Sequence, residues 1–400
     1  MRAASHRPAA GARRAPSRSP SWVEVDLAAV RHNVRRVRRL LGRPSLLAVV
    51  KANAYGHGAS PVARAALSAG AAGLAVASLA EGAALREAGI EAPILLLNAG
   101  DRRDAPEVVA LGLTQSVCAA ELARALSRAA TRLGTPAQVH LKLDTGMGRL
   151  GVQPDRAVEF GQLVEGLPGV RIDGVFSHLA TAEAEDTTYA HLQYERYRGA
   201  LCALAQVGIR PVLRHLANSA ATLRFPEMRF DAVRTGLLVY GLSPEAPGLE
   251  AVELRPALRW KTRVAFVQVL PAGRPVSYSG TYVTKGNCRA GVLPIGYADG
   301  FPRQAGNRAQ VLVRGTRCAV IGTVCMDHVM VDLTPAGGVE AGEEVVIIGT
   351  QGKARITANQ VANWAGTVVH ETPTVIGGRV ARCYLNERRP AQTAGRGKRT

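Results

Sequence analysis

Several features are missing from this 400-residue sequence, and each absence excludes a class of protein. No apolar run approaches the roughly 18 residues that a membrane-spanning helix needs, so we expect no membrane span. The six cysteines are scattered along the chain and form no CxxC pair. This pattern favours free thiols, no metal site and a reducing compartment, the cytoplasm.

Acidic residues are missing from both ends of the chain. Residues 1–20 contain five arginines, residues 388–400 contain five basic residues, and together they carry ten of the nineteen net positive charges. We expect a disordered basic extension over 1–21 and a basic tail over 389–400. An Arg- and Ser-rich start is also typical of transit peptides, but a plain extension is favoured. No aromatic-interleaved basic motif accompanies these charges, so no nucleic-acid partner is predicted.

Helix and strand patterns alternate through the first part of the chain. Short apolar runs such as LLAVV (46–50), GLAVAS (73–78) and PILLLN (93–98) are separated by Ala-rich helical patterns. This alternation is typical of βα units with parallel strands, and about eight such units predict a (β/α)8 TIM-like barrel over 22–250. An open doubly wound sheet is the alternative, but no GxGxxG motif opens it.

The pattern changes near residue 245. Val-, Thr- and Tyr-rich runs then alternate with Gly, Pro and Asn turns, as in VLVRGTRCAVIGTVCMDHVMVDLT (311–334) and EEVVIIG (343–349). These runs predict a C-terminal, mostly antiparallel β domain over 251–388. The predicted fold class is therefore α/β, a barrel followed by a β domain.

Polar and charged residues follow several predicted strands at the point where each strand ends. The carboxyl ends of the strands in a parallel barrel open onto one face, where barrel enzymes carry their chemistry. Taken singly, a lysine at a strand end is more often solvated than reactive, and a lone histidine is more often structural. Their recurrence on one rim favours a site. These residues are Lys51, Lys142, Asp144, Arg149, His178, Asn218, Ser219, Arg234 and Gly236.

Lys51 lies in the stretch AVVKANAYGHG, directly after an apolar run. A partly desolvated lysine is a good nucleophile toward carbonyls, which favours a Schiff-base role over a solvated strand end. If the carbonyl belongs to pyridoxal 5'-phosphate, the site also needs a phosphate cradle, a partner for the ring nitrogen and a second base. Tyr55, Ser219 and the Gly236 segment are candidates for the phosphate, Arg234 for the ring nitrogen, and a tyrosine of the β domain for the second base.

Eight motifs, in order across both predicted domains, make the sequence similar to the alanine racemases, a family of fold-type III pyridoxal phosphate enzymes. The motifs are AVVKANAYGHG (48–58), VHLKLDTGMGRLGV (139–152), FSHLATA (176–182), HLANSAATL (215–223), VRTGLLVYGL (233–242), VSYSGTY (276–282), LPIGYADG (293–300) and VCMDHVMVD (324–332). A single such motif would be suggestive, whereas eight in order are strongly specific.

The resemblance implies a two-base mechanism that interconverts L-alanine and D-alanine, with serine or another amino acid as the alternative substrate. Lys51 would hold the cofactor and handle the α-proton of the D-isomer, and Tyr278 would handle that of the L-isomer. In the family this tyrosine comes from the other subunit of a head-to-tail homodimer, so a monomer would be inactive. His178 and Arg234 would form a hydrogen-bonded chain that assists the tyrosine. The D-alanine would supply peptidoglycan synthesis.

The same resemblance implies further roles. Arg149 would bind the phenolic oxygen of the cofactor and approach the substrate carboxylate, which the Met326 backbone would contact. Arg234 stays protonated and would leave the ring nitrogen neutral, which favours racemisation over transamination. Lys142 matches a position that is carbamylated in many members, with an unmodified lysine as the alternative. The remaining expected cofactor contacts are Tyr55, His178, Asn218, Ser219 and Gly236.

One segment departs from the family pattern, and two other functions compete with racemisation. In IGGRVAR (376–382), Gly378 stands where some relatives have a tyrosine near the phosphate, so we assign it no role. Tyr297 is either an entrance residue or a packing residue. A pyridoxal phosphate decarboxylase shares the barrel-plus-β plan, but a glutamate in place of Arg234 would favour it. A cofactor-binding regulatory protein would lack the β domain and Tyr278.

Overall fold

The computed structural model describes residues 19–243 and 252–387. The expected basic extension (1–21) and basic tail (389–400) lie outside these ranges, except for residues 19–21. Within them the predicted fold class is confirmed, since a parallel eight-stranded sheet is followed by mostly antiparallel sheets. None of the described helices combines the length and apolar composition that crossing a bilayer requires.

The eight parallel strands form a barrel. In the sheet they follow the order β8-β7-β6-β5-β4-β3-β2-β9, and backbone hydrogen bonds from Asp231 to Arg214 (3.0 Å) and from Arg234 to Ala217 (3.0 Å) join its two edges. The strands are β2 (Ser45–Val49), β3 (Gly73–Val76), β4 (Ile94–Ala99), β5 (Thr114–Val117), β6 (Ala137–Lys142), β7 (Val170–Phe176), β8 (Leu213–His215) and β9 (Ala232–Thr235).

Helical segments connect these strands and cover the outside of the barrel. They are α1 (Leu27–Leu41), α2 (Lys51–Tyr55), α3 (Ala59–Ser68), α4 (Leu79–Glu87), α5 (Ala105–Ala110), α6 (Ala120–Leu133), α7 (Ala157–Glu165), α8 (Thr188–Gln206), α9 (Ser219–Arg224) and α10 (Leu237–Tyr240). Since the connections place each βα loop at the same end, the loops that follow the strands share one face, the barrel mouth.

Helix α1 shows how local sequence sets these elements. The Asp26 side chain accepts hydrogen bonds from the first backbone N–H groups of the helix, Ala28 (2.9 Å) and Ala29 (3.4 Å). Val30, Val34 and Val37 recur at helical spacing and are fully buried, which fixes the face that packs on the barrel. The helix ends before Gly42, whose φ of 66° is easily reached only without a side chain.

The β domain contains two main sheets. One has the strand order β16-β15-β18-β10-β1-β20, with β19 paired to β18, and the other has the order β11-β14-β17. The strands are β1 (Ser21–Asp26), β10 (Leu258–Arg263), β11 (Phe266–Leu270), β12 (Pro275–Val276), β13 (Tyr282–Val283), β14 (Cys288–Leu293), β15 (Gln310–Val313), β16 (Thr316–Ala319), β17 (Val329–Asp332), β18 (Glu344–Gln351), β19 (Ala354–Ile356) and β20 (Ala381–Leu385), and the helices are α11 (Ala358–Ala365) and α12 (Glu371–Thr374).

The first described strand, β1, belongs to the larger sheet of the β domain. Strand β1 pairs antiparallel with β10 and parallel with β20, so the predicted barrel range, 22–250, begins with a strand of the β domain. One continuous cluster of buried apolar side chains runs from the barrel into the β domain. The two parts therefore share a core, which holds the barrel mouth in a fixed position relative to the β domain.

Candidate active site

Five basic side chains lie close together at the barrel mouth, at or after the ends of β2, β6, β7 and β9. They lie close enough to shift each other's protonation: the pKa of His178 is lowered to about 3, first by burial and then by the charges of four neighbours. Because like charges repel in a poorly solvated site, this cluster favours an anionic partner. The five residues are Lys51, Lys142, Arg149, His178 and Arg234.

Lys51 begins a turn with unusual backbone geometry. The φ angles of Ala52, Asn53, Ala54 and Tyr55 lie between 51° and 55°, so α2 is left-handed, at a cost of about 1–2 kcal/mol per residue. Such strain persists only where surrounding contacts hold it, and it is common at functional sites. The pKa of Lys51 is lowered by burial, then by Arg149, with an opposing effect of Glu81 and a further lowering by Arg234.

Arg234 is held rigidly below the mouth. Its guanidinium donates to His215 Nδ1 (2.8 Å), to the His215 carbonyl (2.9 Å) and to the Ser177 carbonyl (2.7 Å). It also approaches His178 Nδ1 at 3.4 Å. Burial lowers the pKa of Arg234 to about 10, so the side chain remains a cation at neutral pH. A group facing it therefore receives a hydrogen bond but no proton.

Lys142 lies at the end of β6, 6% exposed. Its Nζ donates to the Leu97 carbonyl at 2.9 Å and lies 5.2 Å from the centre of the Phe176 ring. Burial, followed by the charges of Arg234 and Arg149, lowers the pKa of Lys142 to about 8. The amine is therefore neutral more often than an exposed lysine, and it lacks a carboxylate partner among the described residues.

The loop that carries Arg149 is wrapped around Asp144. One carboxylate oxygen accepts the N–H groups of Gly146 (3.0 Å), Met147 (2.8 Å) and Gly148 (3.1 Å), and the other accepts that of Arg149 (3.2 Å). Burial alone would raise the pKa of Asp144, but these bonds lower it. The motif DTGMGRLG thus folds into a loop that fixes the backbone of Arg149 through a short acidic side chain.

Three groups from separate segments form a small polar cradle. Ser219 Oγ accepts the Gly236 N–H at 3.2 Å, and a Cβ atom at Gly236 would lie 2.7 Å from the Tyr55 hydroxyl. Only glycine leaves this space open. Asn218 is at the start of α9, where its side chain accepts the Ala221 N–H at 3.0 Å. Hydroxyl and backbone N–H groups of this kind suit a phosphate.

The candidates from the β domain lie elsewhere on the chain surface. Tyr278 is 69% exposed and Met326 53% exposed. The Tyr278 carbonyl accepts the Thr323 hydroxyl at 3.0 Å, and in the described part of the chain the side chain hydrogen-bonds to no residue of the barrel mouth. Tyr297, the candidate entrance residue, is also exposed, and a side chain at Gly378 would meet open space. Among the described residues, no hydrogen bond joins these four residues to the basic side chains at the barrel mouth.

Two neighbours of the site were absent from the predicted set. His215 links Arg234 to His140, whose Nδ1 lies 2.9 Å from His215 Nε2. Glu81 binds the backbone next to Lys51, with a distance of 2.6 Å to the Ala52 N–H. The S-x-x-E pattern at 78–81 predicts a helix start, but no local pattern indicates that its glutamate reaches a different βα loop.

Comparisons with known proteins agree with this arrangement. Residues 25–244 match the family model described as alanine racemase, N-terminal domain, and residues 257–384 match that of the C-terminal domain. The alanine racemase of Symbiobacterium thermophilum is 50% identical over 369 residues, which cover 92% of this chain and 98% of that protein. That of Desulfovibrio desulfuricans is 42% identical over 367 residues, with coverages of 92% and 98%.

Solved structures give the same result in three dimensions. A crystal structure of alanine racemase from Streptomyces lavendulae, a producer of D-cycloserine, superposes with a TM-score of 0.87 at 41% identity and covers 92% of this chain and 98% of its own. Alanine racemase from Bacillus anthracis with bound L-Ala-P gives 0.87 at 39% identity, with coverages of 94% and 97%. The similarity therefore extends over both the barrel and the β domain.

Proposed function

This chain belongs to the alanine racemase family, and from that premise we propose that it interconverts L-alanine and D-alanine with pyridoxal 5'-phosphate bound at the barrel mouth. The observation that carries the proposal is the cation cluster, in which Lys51 shares one mouth with Arg149, Arg234 and Lys142. D-Alanine made in this way would supply peptidoglycan synthesis. The family is one of isomerases, which act on a single substrate without net oxidation.

The residues at the mouth fit the cofactor. The phosphate would be held by Ser219, Tyr55 and the Gly236 N–H, whose cradle is open only because residue 236 has no Cβ. The phenolic oxygen carries negative charge and suits Arg149, and Arg234 would face the ring nitrogen. Asn218 shapes the turn that presents Ser219. A cluster in which four cations outnumber the one nearby carboxylate of the described residues, that of Glu81, is the charge complement of such an anion.

Bound there, the cofactor supplies an electron sink that makes the α-proton of a linked amino acid removable. Lys51 Nζ holds or gives a proton on one face of the substrate, and its lowered pKa increases the fraction of neutral amine that can do so. Arg234 stays protonated and leaves the opposing ring nitrogen neutral. A weaker electron sink favours return of the proton to Cα, which suits racemisation better than transamination.

The second base is Tyr278, supplied by another copy of the chain in a homodimer. Its hydroxyl would hold or give the proton on the face opposite Lys51, and His178 and Arg234 would assist it. This assignment is supported by the 69% exposure of Tyr278 and the 53% exposure of Met326. Large apolar and aromatic side chains that stay exposed on one chain are typical of a surface that another chain covers. Met326 would then contact the substrate carboxylate through its backbone.

Lys142 is proposed to carry a carbamate. Its pKa of about 8 leaves a neutral fraction of the amine near neutral pH, and this form adds carbon dioxide with loss of one proton. The product is an anion, whereas the unmodified lysine is a cation beside Arg149 and Arg234. A carbamate on Lys142 would attract Arg149, whereas the unmodified cation repels it, and this attraction would orient Arg149 toward the cofactor.

The proposal is tested on the purified full-length protein. After addition of pyridoxal 5'-phosphate, we expect a visible absorbance band, covalent attachment at Lys51 after borohydride reduction and peptide mapping, and conversion of L-alanine to D-alanine in chiral chromatography. Attachment without any D-alanine would keep the cofactor and reject the reaction. A failure to attach at Lys51 would reject both.

A further inference from the structure

The carboxylate of Glu81 joins two separate segments of the barrel mouth. Oε1 accepts the Ala52 N–H at 2.6 Å, and Oε2 accepts the N–H groups of Ala77 (2.7 Å) and Ser78 (3.3 Å). The Ser78 hydroxyl in turn accepts the Glu81 N–H at 3.3 Å, which completes a capping box at the start of α4. One side chain therefore connects the start of α4 to the residue that follows Lys51.

The segment that Glu81 reaches is the left-handed turn. Ala52 has a φ of 51° and is exposed, so its N–H would otherwise bond only to water. The turn's own bonds, such as Ala54 to the Val50 carbonyl (2.8 Å), begin two residues later. The Glu81 carboxylate thus binds Ala52, the first residue of the turn with a left-handed backbone conformation. Glu81 itself belongs to the next βα unit.

Glu81 also differs in charge from the other groups around Lys51. Burial and the charges of Arg149 and Arg234 all lower the pKa of Lys51, whereas Glu81 raises it. Lys142, His178 and His370 also face the amine. A helix cap needs only an acceptor for backbone N–H groups, which many side chains supply. The Glu81 carboxylate binds the turn and also raises the pKa of Lys51, which Arg149 and Arg234 lower. This second effect is one that a helix cap does not require.

We propose that Glu81 is a positioning residue for the racemase reaction, because its carboxylate holds the left-handed turn that places Lys51 and Tyr55 at the barrel mouth. The inference rests on the role proposed for Lys51. It assigns Glu81 no contact with cofactor or substrate. The competing explanation is that Glu81 only caps α4, and the two explanations differ in what Ser78 does, since Ser78 takes part in the cap but not in the bond to Ala52.

Three full-length variants separate these explanations: Glu81→Gln, Ser78→Ala and Glu121→Gln, the last being a matched first-turn acid on α6. We expect Glu81→Gln to lower kcat by about 10–100-fold, because its single amide oxygen cannot accept from Ala52 and from Ala77 and Ser78 together, and small displacements of a reacting group have effects of this size. We also expect weaker binding of pyridoxal 5'-phosphate and a lower pKa of Lys51, measured on cofactor-free protein by competitive acetylation and peptide mapping. Ser78→Ala should lower Tm by about 2 °C and leave these quantities unchanged.

The outcomes are distinct. If Glu81→Gln changes only Tm, as Ser78→Ala does, Glu81 is a helix cap and the inference is wrong. If Glu81→Gln does not fold, hydrogen exchange of the wild-type protein decides, because the exposed Ala52 amide exchanges slowly only if Glu81 holds it. Fast exchange at Ala52 would overturn the inference. Failure of wild-type protein to link pyridoxal 5'-phosphate to Lys51 would instead reject the proposed function.

Discussion

Two basic side chains in the barrel half of the proposed site are buried, whereas the candidate side chains of the β domain are exposed. Arg234 is 4% exposed and Lys142 6%, while Tyr278 is 69% exposed and Met326 53%. The barrel residues are held by strand ends and by bonds such as that of Arg234 to His215 (2.8 Å). The segment of Tyr278 instead has positive φ angles on both sides, 63° at Ser277 and 61° at Ser279.

The difference indicates that the two halves of the proposed site suit different kinds of partner. Buried cations are costly unless an anion faces them, so the buried Lys142 and Arg234 suit a small anionic group. The β-domain half has no such burial, and its exposed aromatic residue needs a protein surface opposite it. In the proposed function, pyridoxal 5'-phosphate would complete the first half, and a second copy of the chain would complete the other.

The largest expected effect comes from the barrel half. Lys51→Ala removes both the attachment point and one base, so we expect kcat/KM to fall by at least about 10³-fold. Steady-state racemisation assays measure this loss, and the exposed Lys353→Ala serves as the control. A Lys51→Ala enzyme that retained more than about a tenth of the wild-type kcat/KM would contradict the role assigned to Lys51.

The next effect tests the β-domain half. Tyr278→Phe keeps the ring and removes the proton-carrying hydroxyl, so we expect a loss of about 10²–10³-fold in kcat. If sites are shared, mixing Lys51→Ala and Tyr278→Phe chains creates heterodimers with one intact site, and a random mixture should regain about a quarter of wild-type activity. Denaturation, mixing and refolding followed by assay measures the recovery, and absence of recovery would indicate that each chain supplies both bases.

A smaller effect concerns acid stability and again singles out the barrel. Burial lowers the pKa of His57 and of His140 to about 4, and burial with nearby cations lowers that of His178 to about 3. The unfolded chain therefore takes up protons first as pH falls below about 6.5, and the free energy of unfolding decreases by up to about 1.4 kcal/mol per pH unit for each histidine.

Urea unfolding measured from about pH 7 to about pH 5, a range in which an ordinary histidine titrates, checks this acid sensitivity. His140→Asn should reduce the dependence of the unfolding free energy on pH. The slope, rather than the absolute stability, is the relevant quantity, because loss of the His140 ring also changes packing. An unchanged slope in His140→Asn would show that its protonation is not coupled to folding.

The smallest effect sharpens the description of the phosphate cradle. Gly236→Ala places a Cβ 2.7 Å from the Tyr55 hydroxyl, so we expect about tenfold weaker binding of pyridoxal 5'-phosphate. Gly286→Ala is the matched control, since a Cβ there meets no atom within 4 Å. Equilibrium titration with the cofactor gives both constants, and equal affinities would place the phosphate away from residue 236.

Much of the barrel half could be predicted because it depends on local patterns. Lys51, Lys142 and His178 each follow an apolar run, and the rule that parallel strands open onto one face brings their side chains together. The TIM-like fold follows from the same alternation of helix and strand patterns. The short strands β8 and β9 are harder to predict from the sequence, because strands of three and four residues in a closed barrel leave little periodic signal.

What escaped prediction depends on contacts between distant residues. The link from Glu81 to Ala52 joins two βα loops, and the left-handed geometry of four non-glycine residues contradicts their intrinsic preferences. The membership of β1 in the β domain depends on pairing with β20 at the other end of the chain. Such pairings are selected by the packing of the whole molecule, which no short window of sequence contains.

The pairing of β1 with β20 has a consequence for how the molecule is made. Strand β1 is synthesised long before one of its two neighbours, β20 (Ala381–Leu385). The barrel strands lie between the two in the sequence and can therefore pair during translation, but the sheet of the β domain cannot close until β20 has been made. Until then β1 presents an unpaired edge, so the vectorial order of synthesis leaves a window in which nascent chains can associate through that edge.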